Sequence, residues 1–195
     1  MRDSIITSGF TFYSGIDDIS RLTSEGKIYW FTRRITKILF EPLYEVRIIG
    51  TDNQKIWNLN LGVVTIICSA IEALSTFYLP DSKYSDKEKF MLFVEKYLDP
   101  IYQNNSLKSQ KYSEILYGSF RCGLSHGFTI EGHEVATRPQ KYIEDKNGYI
   151  SIDLWTLFDD MVKGFTRYIN EVKSDKILFE RFILRFNKLF LAPYK

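Results

Sequence analysis

Residues Leu61 to Leu79 read as one long helix that is apolar on nearly every side and ends at Pro80. A helix without a polar face needs neighbours all round it, which puts it at the centre of a helical bundle. Its greasiest run, Leu61 to Leu74, is interrupted by Thr65, Ser69 and Glu72. That run is too short and too polar for a bilayer span, so a buried core helix and no membrane contact are expected. A carboxylate among Ile71, Ala73 and Leu74 is costly to bury alone. Glu72 is therefore expected to be largely buried and to meet a cation.

The remaining segments supply the neighbours. Ile28, Phe31, Ile35, Ile38 and Leu39 recur at helical spacing between Lys27 and Phe40, and Pro42 stops or kinks that helix. Leu43 to Ile49 and Lys55 to Leu59 form a hairpin, or the first of them prolongs the helix; the pattern fits both. Ser85 to Tyr97 is a shorter amphipathic helix with Asp86 and Glu88 in its first turn, and Asp99-Pro100 closes it. Ser106 to about Leu124 is the next. Asn147-Gly148 between Tyr142-Ile143 and Tyr149-Ile150 is a hairpin signal. Leu154, Leu157, Phe158, Met161, Phe165, Tyr168 and Ile169 then form one stripe, and Ile177 to Phe190 is crowded with phenylalanine. The expected fold is all-α: a bundle of about five or six helices with a small β-hairpin insertion, in one domain covering residues 1–195.

Composition narrows the function classes. A net charge of +2 gives no global attraction to a nucleic-acid backbone, so any such site must arise from local clustering. Aromatic residues make up 16% of the chain, which predicts a core and interfaces rich in rings. Cys68 and Cys122 read as free thiols, with neither disulfide framework nor zinc spacing. The N-terminus has no apolar stretch of signal-peptide length, and a cytoplasmic location is expected. The basic strips Arg33, Arg34, Lys37 and Lys176, Arg181, Arg185, Lys188 read as a solvated face and as core or dimer packing; an RNA strip is the alternative for the first.

The chain has only two histidines, and His126 follows Arg121 with four residues between. Histidine titrates near neutral pH without help, and arginine presents a planar fork matched to phosphate oxygens. Metal-free RNA cleavage needs those two abilities, with the ribose 2′-hydroxyl as nucleophile. No Asp/Glu/His cluster suggests a metal site, and no cofactor is expected. Along a regular helix, five residues amount to about 140° of rotation and about 7–8 Å of rise. Arg121 and His126 therefore do not share one face. Either Gly123 and Gly127 relax the turn, or a two-fold homodimer brings two copies of the motif together.

The string Leu116-Tyr-Gly-Ser-Phe-Arg-Cys-Gly-Leu-Ser-His-Gly-Phe128 is similar to the signature of HEPN proteins, an Arg and a His separated by four to six residues late in a helix. Ile71-Glu72-Ala73-Leu74 resembles that family's second recurrent segment. The similarity covers residues 55–175, and the first fifty residues have no assigned role. The resemblance implies an RNA-directed protein, a metal-independent endoribonuclease of defence or toxin–antitoxin type, acting as a homodimer and paired with an antitoxin or other protein. It implies Arg121 and His126 as catalytic residues, with Glu72 orienting Arg121 and Ser125 and Cys122 in support. The residue after the Arg is usually polar in active members. Here it is Cys122, which favours the alternative of a non-catalytic module that dimerises or binds nucleotide or RNA. The bland alternative is an Arg121–Glu72 bridge that is purely structural.

Overall fold

The computed structural model describes residues 19–52, 59–80, 82–98, 111–127, 130, 133–136, 143–146 and 149–191. Among the described residues, six helical rods pack around one core, with a small sheet inserted before the last two. The first rod begins at α1 (Ser24–Ile35), capped by the Thr23 hydroxyl accepting from the Gly26 N–H. Pro42 neither stops nor separates it. Proline lacks an N–H, and its ring crowds the carbonyl four residues back. The chain meets this by widening into a π-helical turn, Thr36–Phe40, in which Glu41 N–H reaches Thr36 O. The rod then continues as α2 (Glu41–Asp52). The hairpin alternative for Leu43 to Ile49 is thereby overturned; residues 53–58 lie outside the described ones.

The central helix is α3 (Asn60–Tyr78). It touches α4 (Asp86–Tyr97), α7 (Leu154–Ser174), α8 (Lys176–Phe190) and the motif helix. That explains its apolarity: Val63, Val64, Ile67, Ile71 and Leu74 are all buried among those neighbours. One expectation about it needs correcting. Among the described helices, α3 is long and apolar enough to cross a membrane, with mean hydropathy 1.7, so it is not too short.

Local signals set the other helices. Ser85 and Glu88 form a reciprocal capping box at the start of α4. The carboxylate of Asp153 accepts from Thr156 N–H to open α7, and that of Asp175 accepts from Leu178 N–H to open α8. The predicted α7 stripe from Leu154 to Ile169 is buried throughout. Gly164 sits where α7 crosses the end of α4; a Cβ there would lie 2.9 Å from the Tyr97 carbonyl oxygen. Rings stitch the first rod to the last. Phe31 lies 4.6 Å from Phe77 and 5.3 Å from Phe182, and Trp30 lies 5.2 Å from Phe190. The helical part of the first fifty residues thus shares the bundle's core.

The motif helix runs through α5 (Tyr112–Ile115), a π-helical turn (Leu116–Cys122) and α6 (Gly123–Gly127). Residues 99–110, expected to hold Asp99-Pro100 and the start of this helix, lie outside the described ones. The insertion is a sheet of three strands, β1 (His133–Ala136), β2 (Ile143–Lys146) and β3 (Tyr149–Asp153), in the order β1-β3-β2. The antiparallel β2–β3 pairing, with Lys146 opposite Tyr149, is the predicted hairpin; Asn147-Gly148 itself is outside the described residues. The parallel strand β1 was not expected. His133, between Gly132 and Glu134 in sequence, stands half-buried on β1, opposite Ile150.

Candidate functional site

The π-helical turn carries Arg121. Gly123 N–H bonds Gly118 O five residues back, so the helix is widened immediately before the Arg-to-His span. Such bulges recur at functional sites because they re-aim side chains on an otherwise regular helix. Gly123 itself keeps right-handed helical angles, φ −58° and ψ −46°. The expected relaxation at Gly123 is therefore replaced by one upstream of it.

Arg121 turns inward against α3. Its Nε donates to Glu72 Oε2 at 3.1 Å, and its Nη2 donates to Glu72 Oε1 at 2.6 Å. This is the side-by-side fork geometry that makes Arg–carboxylate pairs strong and oriented. Glu72 does meet its cation, as expected, but it is half-buried rather than largely buried. The two side chains are 22% and 26% exposed, which keeps the guanidinium within reach of solvent. The Glu72 hydrogen bonds raise the Arg121 pKa above its ordinary value, so Arg121 stays cationic at every physiological pH.

Two further groups frame the cation. Tyr117, one turn earlier, puts its ring 5.6 Å from the Arg121 guanidinium carbon, a cation–π contact. Tyr117 in turn meets Phe90 of α4 at 5.3 Å, edge to face, and burial raises its phenol pKa. Arg121 Nη1 lies 3.8 Å from the Cys122 sulfur, a weak bond. Cys122 is thus a half-buried neighbour of the fork. Cys68, one turn before Glu72 on α3, is fully enclosed, and burial pushes its thiol up to about 12. It remains an inert thiol.

His126 lies in the last turn of the helix and is exposed. Arg121 and His126 point different ways, one against α3 and one to solvent, as the five-residue spacing requires. Ser125 has its backbone in α6, but its side chain lies outside what the structure describes. Two further residues stand near the site. Tyr117 stands four before Arg121, a helical-neighbour spacing that marks it in hindsight. His133 stacks on Phe120, ring centres 6.2 Å apart and planes 16° apart, and burial lowers its pKa. Only the strand β1 brings it there, and its own surroundings in sequence give no sign.

Among the described residues, no three of His, Cys, Asp and Glu gather as a metal site would require. What the site offers is a fixed, permanently charged fork, an accessible imidazole five residues on, and a thiol and a phenol beside the fork. No family model, curated protein or solved structure matches this chain.

Proposed function

We propose that this chain is a HEPN-type, RNA-directed protein and that it cleaves RNA without a metal, using the RNA's own 2′-hydroxyl. Arg121 holds the scissile phosphate and offsets charge as the phosphorane forms. His126 carries the proton, taken from the 2′-hydroxyl or given to the departing 5′-oxygen. The products are a 2′,3′-cyclic phosphate and a 5′-hydroxyl. The observation that supports this most is the pairing of an oriented, part-exposed Arg121 with an exposed His126 on one widened helix. Since the two point apart, a complete site needs His126 from one copy beside Arg121 from another, which fits a two-fold homodimer. A defence or toxin role, with an antitoxin as partner, follows from the resemblance alone.

One observation favours a second reading, a non-catalytic module that binds RNA or nucleotide. Glu72 already takes two of the Arg121 N–H groups, and Cys122 stands where active members of the family carry a polar side chain. The deciding experiment incubates the purified chain with mixed RNA, with and without EDTA, beside the same RNA carrying 2′-O-methyl groups. Cleavage of plain RNA that EDTA leaves unchanged and 2′-O-methylation blocks is the expected result. Binding without cleavage would establish the second reading instead.

A further inference from the structure

A groove of about 380 Å³ runs between the first rod and α7, and it shares no residue with the Arg121 site. Its size falls within the range of small-molecule sites, about 300–1,000 Å³. Thr32, Thr36, Phe40 and Tyr44 form one wall, each four residues after the last. In a regular helix such a repeat drifts by about 40° per step. The π-helical turn Thr36–Phe40 takes more residues per revolution and offsets that drift, so the wall stays straight. The floor is apolar: Phe40, Phe165 and Ile169 are buried, and Val162 is partly buried beside them. The Thr32, Thr36 and Thr166 hydroxyls donate to the Ile28, Thr32 and Val162 carbonyls at 2.8, 3.0 and 3.0 Å. Their hydrogens are spent on their own helices, so an apolar chain laid beside them leaves no donor unpaired.

Shape and the chemistry of the two ends select the ligand. Thr32 to Glu41 covers about 14 Å of helix at about 1.5 Å per residue, so the volume is long and narrow and suits a chain better than a ring system. Tyr44 meets Phe158 at 4.9 Å and Phe40 meets Phe165 at 5.3 Å, so the rod and α7 run antiparallel. Thr32 therefore shares one end of the groove with Asn170 and Lys173, and Glu41 stands at the other. Both Glu41 oxygens are held there by Lys37, at 2.7 and 2.9 Å. At the opposite end Lys173 is exposed, and no group among the described residues pairs with its ammonium. Asn170, three residues earlier and also exposed, adds an amide N–H. The lining thus holds one base and one acid, separated by apolar side chains, and only the basic end is open to a ligand. We propose that this groove binds a single-chain aliphatic carboxylate, its hydrocarbon on Phe40, Phe165 and Ile169 and its carboxylate against Lys173 and Asn170. The site stands apart from the RNA-directed reading and does not depend on it.

The test is calorimetric titration of the full chain with octanoate, butanoate, octan-1-ol and octylammonium. Octanoate should bind at least about tenfold more tightly than butanoate, because its extra methylenes leave water. It should bind about three- to tenfold more tightly than octan-1-ol, which lacks the charge-assisted contact, and more tightly than octylammonium. Lys173→Gln should bring octanoate down to the affinity of the alcohol and leave the alcohol unchanged. Lys173 is exposed, so the fold should be untouched. Thr166→Trp, at an exposed position in the lining, should fill the groove and remove both ligands. Lys173→Gln decides alone if Thr166→Trp melts early. No octanoate binding at millimolar concentration would overturn the proposal. So would octan-1-ol or octylammonium binding as tightly as octanoate, or a preference for the carboxylate that survives Lys173→Gln. Octanoate binding that a folded Thr166→Trp leaves intact would put the ligand elsewhere on the chain and overturn it too.

Discussion

Arg121 on the motif helix and Glu72 on α3 are joined at two points, Nε to Oε2 at 3.1 Å and Nη2 to Oε1 at 2.6 Å. The pair fixes the guanidinium plane and ties the motif to the central helix. Because both side chains remain partly exposed, it falls between a surface and a buried ion pair. Glu72→Ala should cost about 1–3 kcal/mol, below the about 3–5 kcal/mol of a fully buried broken pair. Glu72→Gln should cost less, since it keeps the volume and one acceptor. Urea denaturation of the two variants checks both the size and the order. If cleavage depends on an oriented Arg121, both should also lower activity, Ala more than Gln.

His126→Ala should abolish RNA cleavage, by about 10²–10⁴-fold for the loss of a general acid or base. The fold should be untouched, because His126 is exposed. Arg121→Lys should fail as well, since a point charge reproduces neither the fork to Glu72 nor a grip on phosphate. Gel assays on 5′-labelled RNA with thermal melts alongside separate lost chemistry from lost structure. Cleavage that survives His126→Ala would point to a contaminating nuclease and remove the assignment.

A homodimer is expected, with the motif helix at the interface. Gly118 offers a clean probe: it is exposed on that helix, and a Cβ added there would meet nothing within 4 Å. Within one chain Gly118→Leu should be tolerated and even favourable by about 0.5–1 kcal/mol, the helix-interior penalty of glycine. Across a close two-fold contact it should obstruct. Light scattering at tens of micromolar should give a dimer for wild type and a shift toward monomer for the variant. Wild type that is monomeric throughout would remove the composite site.

Gly164→Ala tests the close approach of α7 to the end of α4. The new methyl would sit 2.9 Å from the Tyr97 carbonyl oxygen and 3.2 Å from Leu98 Cδ1. The contacted oxygen is backbone and cannot swing aside. The overpacking cost, about 1–3 kcal/mol, should exceed the about 1 kcal/mol gained in helix propensity. A lowered melting temperature is the expected outcome.

His133 gives stability a pH dependence. Burial lowers its pKa in the folded chain, so the unfolded chain binds the proton more readily. Stability should therefore rise with pH through the window from the lowered folded value up to the ordinary 6.5, and fall as the solution is acidified through it. His133→Phe, which keeps a ring against Phe120, should flatten that part of the urea midpoint-versus-pH curve.

The sequence by itself determined most of the helices and the need of Glu72 for a cation. Period-3.6 apolar stripes such as Leu154–Ile169 are local facts, and one buried face per helix follows from them. Glu72 in an apolar run demanded a cation, and the motif offered Arg121. Tertiary structure decided what no single segment encodes. A π-helical turn lets the first rod pass Pro42, because packing of Phe40 and Leu43 into the core outweighs the lost hydrogen bond. How deep Glu72 sits depends on how closely the motif helix lies over α3. The strand that carries His133 to Phe120 exists only through its parallel pairing with residues seventeen positions later, as in Val135 with Ile152. Contacts of that kind depend on where separate elements come to rest, and the spacing of residues along one element does not carry that information.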